Sequence, residues 1–266
     1  MRRVLPIVRR IIGQSYWAFL MWTLGILAAL FLYLPLFPSL SQNDEMQKLL
    51  QLLPAELVNT IGFADITTGA GYTQATFFGL MGFALFSIAA VSWGTAAIAG
   101  AEEQGMLEMT LAHSVSRSRY LIEASISVVA RIIWLGIVVL IVLLSLNAPA
   151  ELGLDHLNII AAVCNLVALA LCFAMVAILV GSLGGGRGLT MGIAATSVVL
   201  SFALNALANQ TERAEFLYAI SPYSWAYRNE PLKHGFEPGS FSLLLGLSIL
   251  CFVLSLIAIN RRDVKG

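Results

Sequence analysis

Residues 157–183, LNIIAAVCNLVALALCFAMVAILVGSL, and residues 189–209, LTMGIAATSVVLSFALNALAN, are two long apolar runs joined by Gly184-Gly185-Gly186-Arg187-Gly188. A helix needs about 20 apolar residues to cross the hydrocarbon core of a bilayer, and only a helix or a closed barrel satisfies its backbone there. One helix over both runs would be far too long, and the glycines favour a turn. The stretch therefore predicts a helical hairpin of two membrane spans.

The remaining apolar runs extend this pattern to the whole chain. Together they predict six spans, at about residues 15–38, 74–100, 121–147, 157–183, 189–209 and 240–260. The composition agrees, because 59% of the 266 residues are hydrophobic and 11% are charged, whereas a soluble domain carries about 25% charged residues. We therefore expect an all-α integral membrane protein with one transmembrane domain over residues 1–266.

Positive charge is distributed unevenly between the two sides that this topology creates. Eleven lysine and arginine residues fall on the side of the N-terminus, and four fall on the opposite side, which carries ten of the fifteen acidic residues. Cytoplasmic loops of membrane proteins carry an excess of Lys and Arg. The bias predicts that both termini, the loop 101–120 and the glycine-rich turn are cytoplasmic. We expect the cell membrane of a bacterium or archaeon as the location.

Two segments outside the spans have patterns of their own. In residues 1–14 the apolar side chains share one helical face and four arginines share the other. This predicts an amphipathic helix in the cytoplasmic interface, with a frayed basic tail as the alternative. Residues 210–239 mix charges with aromatic side chains that favour the membrane–water boundary, which predicts a re-entrant segment before the last span. These aromatic residues are Phe216, Tyr218, Tyr223, Trp225 and Tyr227.

Motifs for catalysis and nucleotide binding are absent from the sequence. It contains neither G-x-x-x-x-G-K-[ST] nor H-E-x-x-H, and its three histidines, His113, His156 and His234, lie far apart. The middle of every span lacks the Asp, Glu and Lys side chains that mark an ion pathway. Arg131 is the one charge well inside a span, and its position towards the cytoplasmic end favours a snorkelling anchor over an ion pathway. We expect no enzyme activity in this chain itself.

The most polar cytoplasmic segment is residues 101–119, AEEQGMLEMTLAHSVSRSR. Acidic residues bracket its methionines and leucines, which predicts a short amphipathic helix with an apolar face rimmed by charge. Such a face is typical of a docking surface, whereas a passive connection needs only a few residues. An ordinary polar loop is the alternative.

This segment carries a resemblance to a known family. Glu102-Glu103-Gln104-Gly105-Met106-Leu107-Glu108, followed by Leu111-Ala112-His113-Ser114-Val115-Ser116-Arg117, resembles the E-x-x-G-T-L-E…L-A-x-P-V-S-R signature of ABC-2-type transporter permeases. Met106 stands where the family usually has Thr, and Ser114 stands where it usually has Pro. Three further stretches resemble the family in the same order along nearly the whole chain. They are Leu53-Pro54-Ala55-Glu56 with Gly62, Asp65 and Gly71-Tyr72, then Ser221-Pro222-Tyr223 with Pro231-Leu232 and Gly235, and finally Arg261-Arg262-Asp263.

The resemblance implies the membrane subunit of an ATP-binding-cassette exporter, with a coupling helix in the 101–120 segment. Two copies of the chain, as a homodimer, would assemble with two separate ATPase subunits, which bind the ATP and magnesium. The residues that would contact the ATPase are Glu102, Glu103, Gly105, Met106, Leu107, Glu108, Leu111, Ser116 and Arg117. We expect no cofactor, metal or nucleic acid on this chain itself, and membrane lipid as its surroundings.

Small residues recur every four positions from the turn into the fifth span, at Gly184, Gly188, Gly192 and Thr196. Such a stripe permits close helix approach, either to a second copy of the chain or to another span of the same chain. Polar residues inside the spans are candidates for a substrate pathway, with interhelical hydrogen bonding as the alternative. They are Ser87, Ser92, Thr95, Asn165, Ser197 and Asn205. The lack of mid-membrane charge favours a largely apolar or amphipathic cargo.

Two other hypotheses compete with an exporter permease. One is a non-transport sensor or assembly component that recruits a cytoplasmic partner through the 101–120 segment. The other is an intramembrane enzyme, which is disfavoured because the spans and their flanks lack paired carboxylates, a metal-ligand cluster and a nucleophile–base set.

Overall fold

A computed structural model describes residues 16–41, 67–107, 109, 116–210 and 212–261. Over these residues the chain is helical and contains no strand. Six helices are long and apolar enough to cross a membrane, which confirms the predicted number. They are α1 (Tyr16–Tyr33), α2 (Gly69–Glu103), α3 (Arg117–Leu146), α4 (His156–Ser182), α5 (Arg187–Ala208) and α8 (Pro238–Arg261). The predicted N-terminal interfacial helix lies outside the described residues.

Shorter elements join the long helices. A 3-10 turn, Leu34–Leu36, and a short helix, Phe37–Ser41, prolong α1. The connection from α5 to α8 contains a 3-10 segment, Glu212–Ala219, and two short helices, α6 (Pro222–Tyr227) and α7 (Pro231–His234). The segment before the last span is therefore helical rather than an extended loop.

Side-chain caps begin several of these helices where the sequence supplies a short polar residue. Asp155 Oδ1 accepts hydrogen bonds from the backbone N–H groups of Leu157 at 2.8 Å and Asn158 at 3.3 Å, at the start of α4. Ser116 Oγ accepts the Arg119 N–H at 3.3 Å at the start of α3. The side-chain oxygens satisfy N–H groups that have no partner within the helix. The caps thus place the starts of α3 and α4 within a few residues of the predicted spans.

Helix α4 is the centre of the bundle. It packs against α2, α3, α5, α6, α7 and α8, and 67% of its most apolar stretch is buried, against 17% for α1 and for α5. A glycine permits one close approach, because a Cβ built on Gly94 of α2 would lie 2.6 Å from the carbonyl oxygen of Ala174. Small residues of this kind let helix backbones approach within a membrane.

The long helices alternate in direction, and polar contacts tie together each end of the bundle. At one end, which we call the Glu103 end, Ser118 Oγ donates to Asn260 Oδ1 at 2.9 Å. At the other, the Tyr72 end, Tyr72 Oη donates to the carbonyl of Tyr33 at 2.7 Å. The connection from α2 to α3 and the glycine-rich turn both lie at the Glu103 end. That this end faces the cytoplasm stays a prediction from the charge bias.

Arg131 lies midway along α3 and is buried, with 6% of its surface exposed. Its guanidinium carbon lies 5.6 Å from the centroid of the Trp93 ring of α2, within the range of a cation–π interaction. The expected snorkelling of this side chain to the surface is therefore wrong. The helix faces inward at this position, so the guanidinium lies against the Trp93 ring of a neighbouring helix instead of reaching the surface.

Candidate functional site

An apolar groove runs between α2 and α5. Its volume is about 360 Å³, and its walls are made by residues from only these two helices. The lining residues are Phe83, Ala84, Ser87, Ile88, Val91, Met191, Ala195, Val198, Val199 and Phe202. Ser87 supplies the single hydroxyl of this lining and is 3% exposed. A groove without charge and almost without hydrogen-bonding groups suits an apolar chain or ring rather than a hydrophilic solute.

The small-residue stripe lies beside this groove, on the outer face of α5. Gly188, Gly192 and Thr196 are exposed, and a Cβ built on either glycine would meet no atom within 4 Å among the described residues. Gly184 belongs to the turn instead, where its φ of 94° requires glycine. The alternative in which this stripe packs against another span of the same chain is therefore wrong over the described residues. The described residues leave Gly188, Gly192 and Thr196 uncovered.

The predicted pathway residues do not line one channel. Ser87 lies at the groove, whereas Ser197 donates to the Ala194 carbonyl of its own helix at 2.7 Å. Asn165, which is 4% exposed, donates from Nδ2 to the Ala226 carbonyl at 3.0 Å, and Asn205 accepts a hydrogen bond from Ser224 Oγ at 2.9 Å. Both asparagines therefore bind the segment α6. These two asparagines therefore have the alternative role, interhelical hydrogen bonding.

The other two pathway candidates lie on α2, nearer the Glu103 end than the groove. Ser92 is half-buried, and Thr95 is 2% exposed. The hydroxyl of Thr95 has no hydrogen-bond partner among the described residues. Neither residue lines the groove.

Helix α6 is held inside the bundle by polar contacts to three long helices. Ser221 Oγ donates to the Ser201 carbonyl of α5 at 2.7 Å, and the N–H of Tyr223 donates to Ser201 Oγ at 2.7 Å. Tyr223 Oη donates to the carbonyl of Gly79 on α2 at 3.0 Å. The Tyr223 ring also packs edge-on against Phe83 and Phe202 of the groove, with centroids 4.9 Å and 5.3 Å apart. The aromatic-rich segment thus closes the groove on its Tyr72 side.

The predicted coupling segment begins as a direct continuation of α2. Its first turn ends at Gly105, whose φ of 66° reverses the chain. Beyond it, Leu107 is 2% exposed and belongs to the core, Met106 is half-buried against the core, and Met109 is 54% exposed. Leu107 was expected on an exposed docking face, and this is wrong because its side chain is covered by the chain itself. Glu108 and Leu111 lie outside the described residues.

Charged residues of this segment reach the neighbouring turn. Arg187 Nη1 lies 3.8 Å from Glu103 Oε2, and both side chains are more than half exposed. Glu102 and Arg117 are half-buried, and Ser116 is the N-cap of α3. An exposed ion pair of this kind contributes about 0–1 kcal/mol. It joins the two connections at the Glu103 end without holding them rigidly.

A buried polar seam between α2 and α3 was not predicted from the sequence. Glu123 is 2% exposed and accepts a hydrogen bond from Arg119 Nε at 3.0 Å. Tyr120 Oη donates to the Ala97 carbonyl of α2 at 3.2 Å. Glu123, Ser127 and Arg131 recur every four residues, which places them on one helical face. That spacing was visible in the sequence and could have indicated a buried face.

Comparison with known proteins adds no family to this picture. No protein-family model matches the chain, and no curated protein matches it. The described residues also contain no group of three or more His, Cys, Asp or Glu side chains that could hold a metal ion. The resemblance to ABC-2-type permeases therefore rests on the sequence motifs alone.

Proposed function

We propose that this chain is the permease subunit of an ABC exporter, which forms a translocation pathway with a second permease chain. The observation that carries the proposal is the continuity of α2. This one helix supplies Phe83, Ser87 and Val91 to the groove and ends at Glu103, inside the motif that resembles a coupling helix. A force applied to that motif would reach the groove through a single element.

A second copy of the chain would complete the pathway. The groove is open along one side, and the exposed glycine face of α5 lies beside it. A two-fold assembly brings the same face of both copies together, and contact through these faces would place both grooves beside one interface. We therefore assign the pathway to a homodimer, with Gly188, Gly192 and Thr196 at its interface.

Energy would come from a separate ATPase that binds ATP and magnesium. After the burial of Leu107, we assign docking among the described residues to Glu102, Glu103, Arg117 and the exposed Met109. ATP binding would close the ATPase dimer and move the coupling segment, and α2 and α3 would follow because they flank it. The cargo would be largely apolar or amphipathic, since the groove offers one hydroxyl and no charge.

Co-purification tests the proposal. Tagged chain in mild detergent should recover a soluble ATPase, and adding the chain should make that ATPase respond to cargo. Recovery of no nucleotide-binding protein would refute the exporter hypothesis. Recovery of a partner without a nucleotide site would instead favour the sensor or assembly component.

A double variant tests the docking residues. Glu103→Lys combined with Met109→Asp should reduce ATPase recovery at least tenfold, because it reverses a charge and removes an apolar contact. The control is Glu237→Lys, a charge reversal of an acidic residue at the Tyr72 end of the bundle, which should leave recovery unchanged. Equal recovery with both variants would contradict the assignment of this surface.

A further inference from the structure

Helix α2 departs from α-helical winding at two places. Residues Gln74–Met81 and Ala96–Gly100 are π-helical, and they flank a regular α-helical core, Gly82–Thr95. At the first of them the N–H of Gly82 bonds the carbonyl of Phe77, five residues earlier. π-Helical turns are rare and usually occur as single bulges. Among the described helices only α2 contains them, and it contains two.

Contacts with different neighbours fix α2 before and after its first π-helical run. The core is held by α4, since Gly94 lies against the Ala174 backbone. The first turn is held elsewhere, because Tyr72 Oη bonds the Tyr33 carbonyl at the end of α1. The second run is itself held, because Tyr120 Oη of α3 bonds the carbonyl of Ala97 within it. The first run therefore separates a core anchored on α4 from an end anchored on α1.

Buried polar atoms without partners mark the start of each run. The hydroxyls of Thr73 and Thr95 and the Oε1 of Gln74 have no hydrogen-bond partner among the described residues. These three residues are 0%, 2% and 9% exposed. A helical threonine usually bonds a carbonyl one turn earlier, and Thr76 does so with Tyr72 at 2.7 Å. An unsatisfied buried group in a native structure requires an explanation, and stored strain is one of them.

We propose that α2 is a jointed element, in which the first π-helical run, Gln74–Met81, interconverts with α-helical winding while the core Gly82–Thr95 stays fixed on α4. A change of one residue in register rotates a helix end by about 100°, so the end before this run can turn with α1 without disturbing the core. The hydrogen bond from Tyr223 to Gly79 locks this joint. The inference concerns winding alone and does not depend on the proposed exporter function.

Two single-residue deletions, measured as thermal stability of the full chain in detergent, test the joint. Deletion of Leu80, a partly exposed residue of the first run, should rewind the run as α-helix and keep both flanking anchors in register. We expect a melting temperature within about 4 °C of the parent. Deletion of Ile88, an exposed residue of the core, should turn Gly94 away from Ala174 and lower the melting temperature by more than about 10 °C. Equal losses in both deletions would overturn the proposal.

Two tyrosine variants provide a second measurement that does not depend on the deletions. Tyr223→Phe removes the lock on Gly79, whereas Tyr227→Phe removes a buried hydroxyl that has no partner among the described residues. Amide hydrogen exchange in lipid nanodiscs should accelerate at least fivefold over Gln74–Gly82 in Tyr223→Phe and remain slow in the core. Tyr227→Phe should match the parent. Acceleration over the whole of α2, or equal exchange in both variants, would contradict the claim that the Tyr223 hydrogen bond stabilises the first π-helical run.

Discussion

The helices α4 and α5 form one hairpin and are both apolar enough to cross a membrane, yet they occupy opposite positions in the bundle. Of the most apolar stretch, 67% is buried in α4 and 17% in α5. Helix α4 contacts nearly every other long helix, whereas α5 buries only Thr190, Ala194, Ser201 and Ala208. Hydropathy therefore identifies a span but does not tell whether the neighbours of that span are helices or lipid.

The largest expected effect comes from crowding the contact on α4. Gly94→Leu would push a side chain into the Ala174 backbone, which cannot move without displacing α4. We expect loss of folded protein, or a melting temperature lowered by more than about 10 °C. Gly192→Leu on the open face of α5 is the control and should stay within about 2 °C of the parent. If both variants melted alike, the contrast between α4 and α5 would not exist.

Substitution of polar side chains should also destabilise the protein more on α4 than on α5, by a smaller amount. Asn165→Ala removes the buried hydrogen bond from α4 to the Ala226 carbonyl, which should cost about 1–3 kcal/mol of unfolding free energy. Ser197→Ala removes a hydrogen bond within α5 itself and should cost less than about 0.5 kcal/mol. Reversible unfolding in denaturant measures both values. A larger cost at Ser197 would show that α5 is packed where the structure leaves it open.

The open face of α5 should matter for association rather than for folding. If the proposed dimer forms there, Gly188→Leu and Gly192→Leu should weaken it about tenfold, which corresponds to 1.4 kcal/mol. Gly246→Leu is the matched control, because Gly246 of α8 is exposed and a Cβ there meets no atom within 4 Å. Single-molecule counting in liposomes of fixed protein density gives the dimer fraction. If Gly246→Leu lowered the dimer fraction as much as the other two variants, the interface would not lie on α5.

The smallest effect is expected at the ion pair that links the hairpin to the end of α2. Arg187→Ala should change the unfolding free energy by less than about 1 kcal/mol, because both charges are exposed. A double-mutant cycle with Glu103→Gln isolates the pair, and 1 M salt should abolish the coupling. A coupling that survives high salt would mean that the pair is shielded from water.

The sequence predicts the spans well and the burial of individual side chains less well. The six spans and the turn at Gly184–Gly188 followed from length and apolarity, because a bilayer imposes both. Leu107 and Arg131 were assigned to the surface by their flanking sequence, and the fold buries both. From the sequence, the small-residue stripe of α5 could pack against a second copy or against another span of the same chain. The positions of the other described helices exclude the second of these. The cytoplasmic orientation, the ATPase contact and the cargo stay predictions.

The number of spans and the hairpin between the fourth and the fifth follow from the sequence alone. These depend on local physics, namely the hydrocarbon thickness and the need to satisfy backbone groups. Contacts between helices show that α4 is central and that α5 presents a bare face beside a groove, and the backbone of α2 contains two π-helical runs. Within a membrane, side chains that face lipid and side chains that face protein are equally apolar. For that reason the arrangement of the spans depends on contacts between distant residues, which no single stretch of sequence displays.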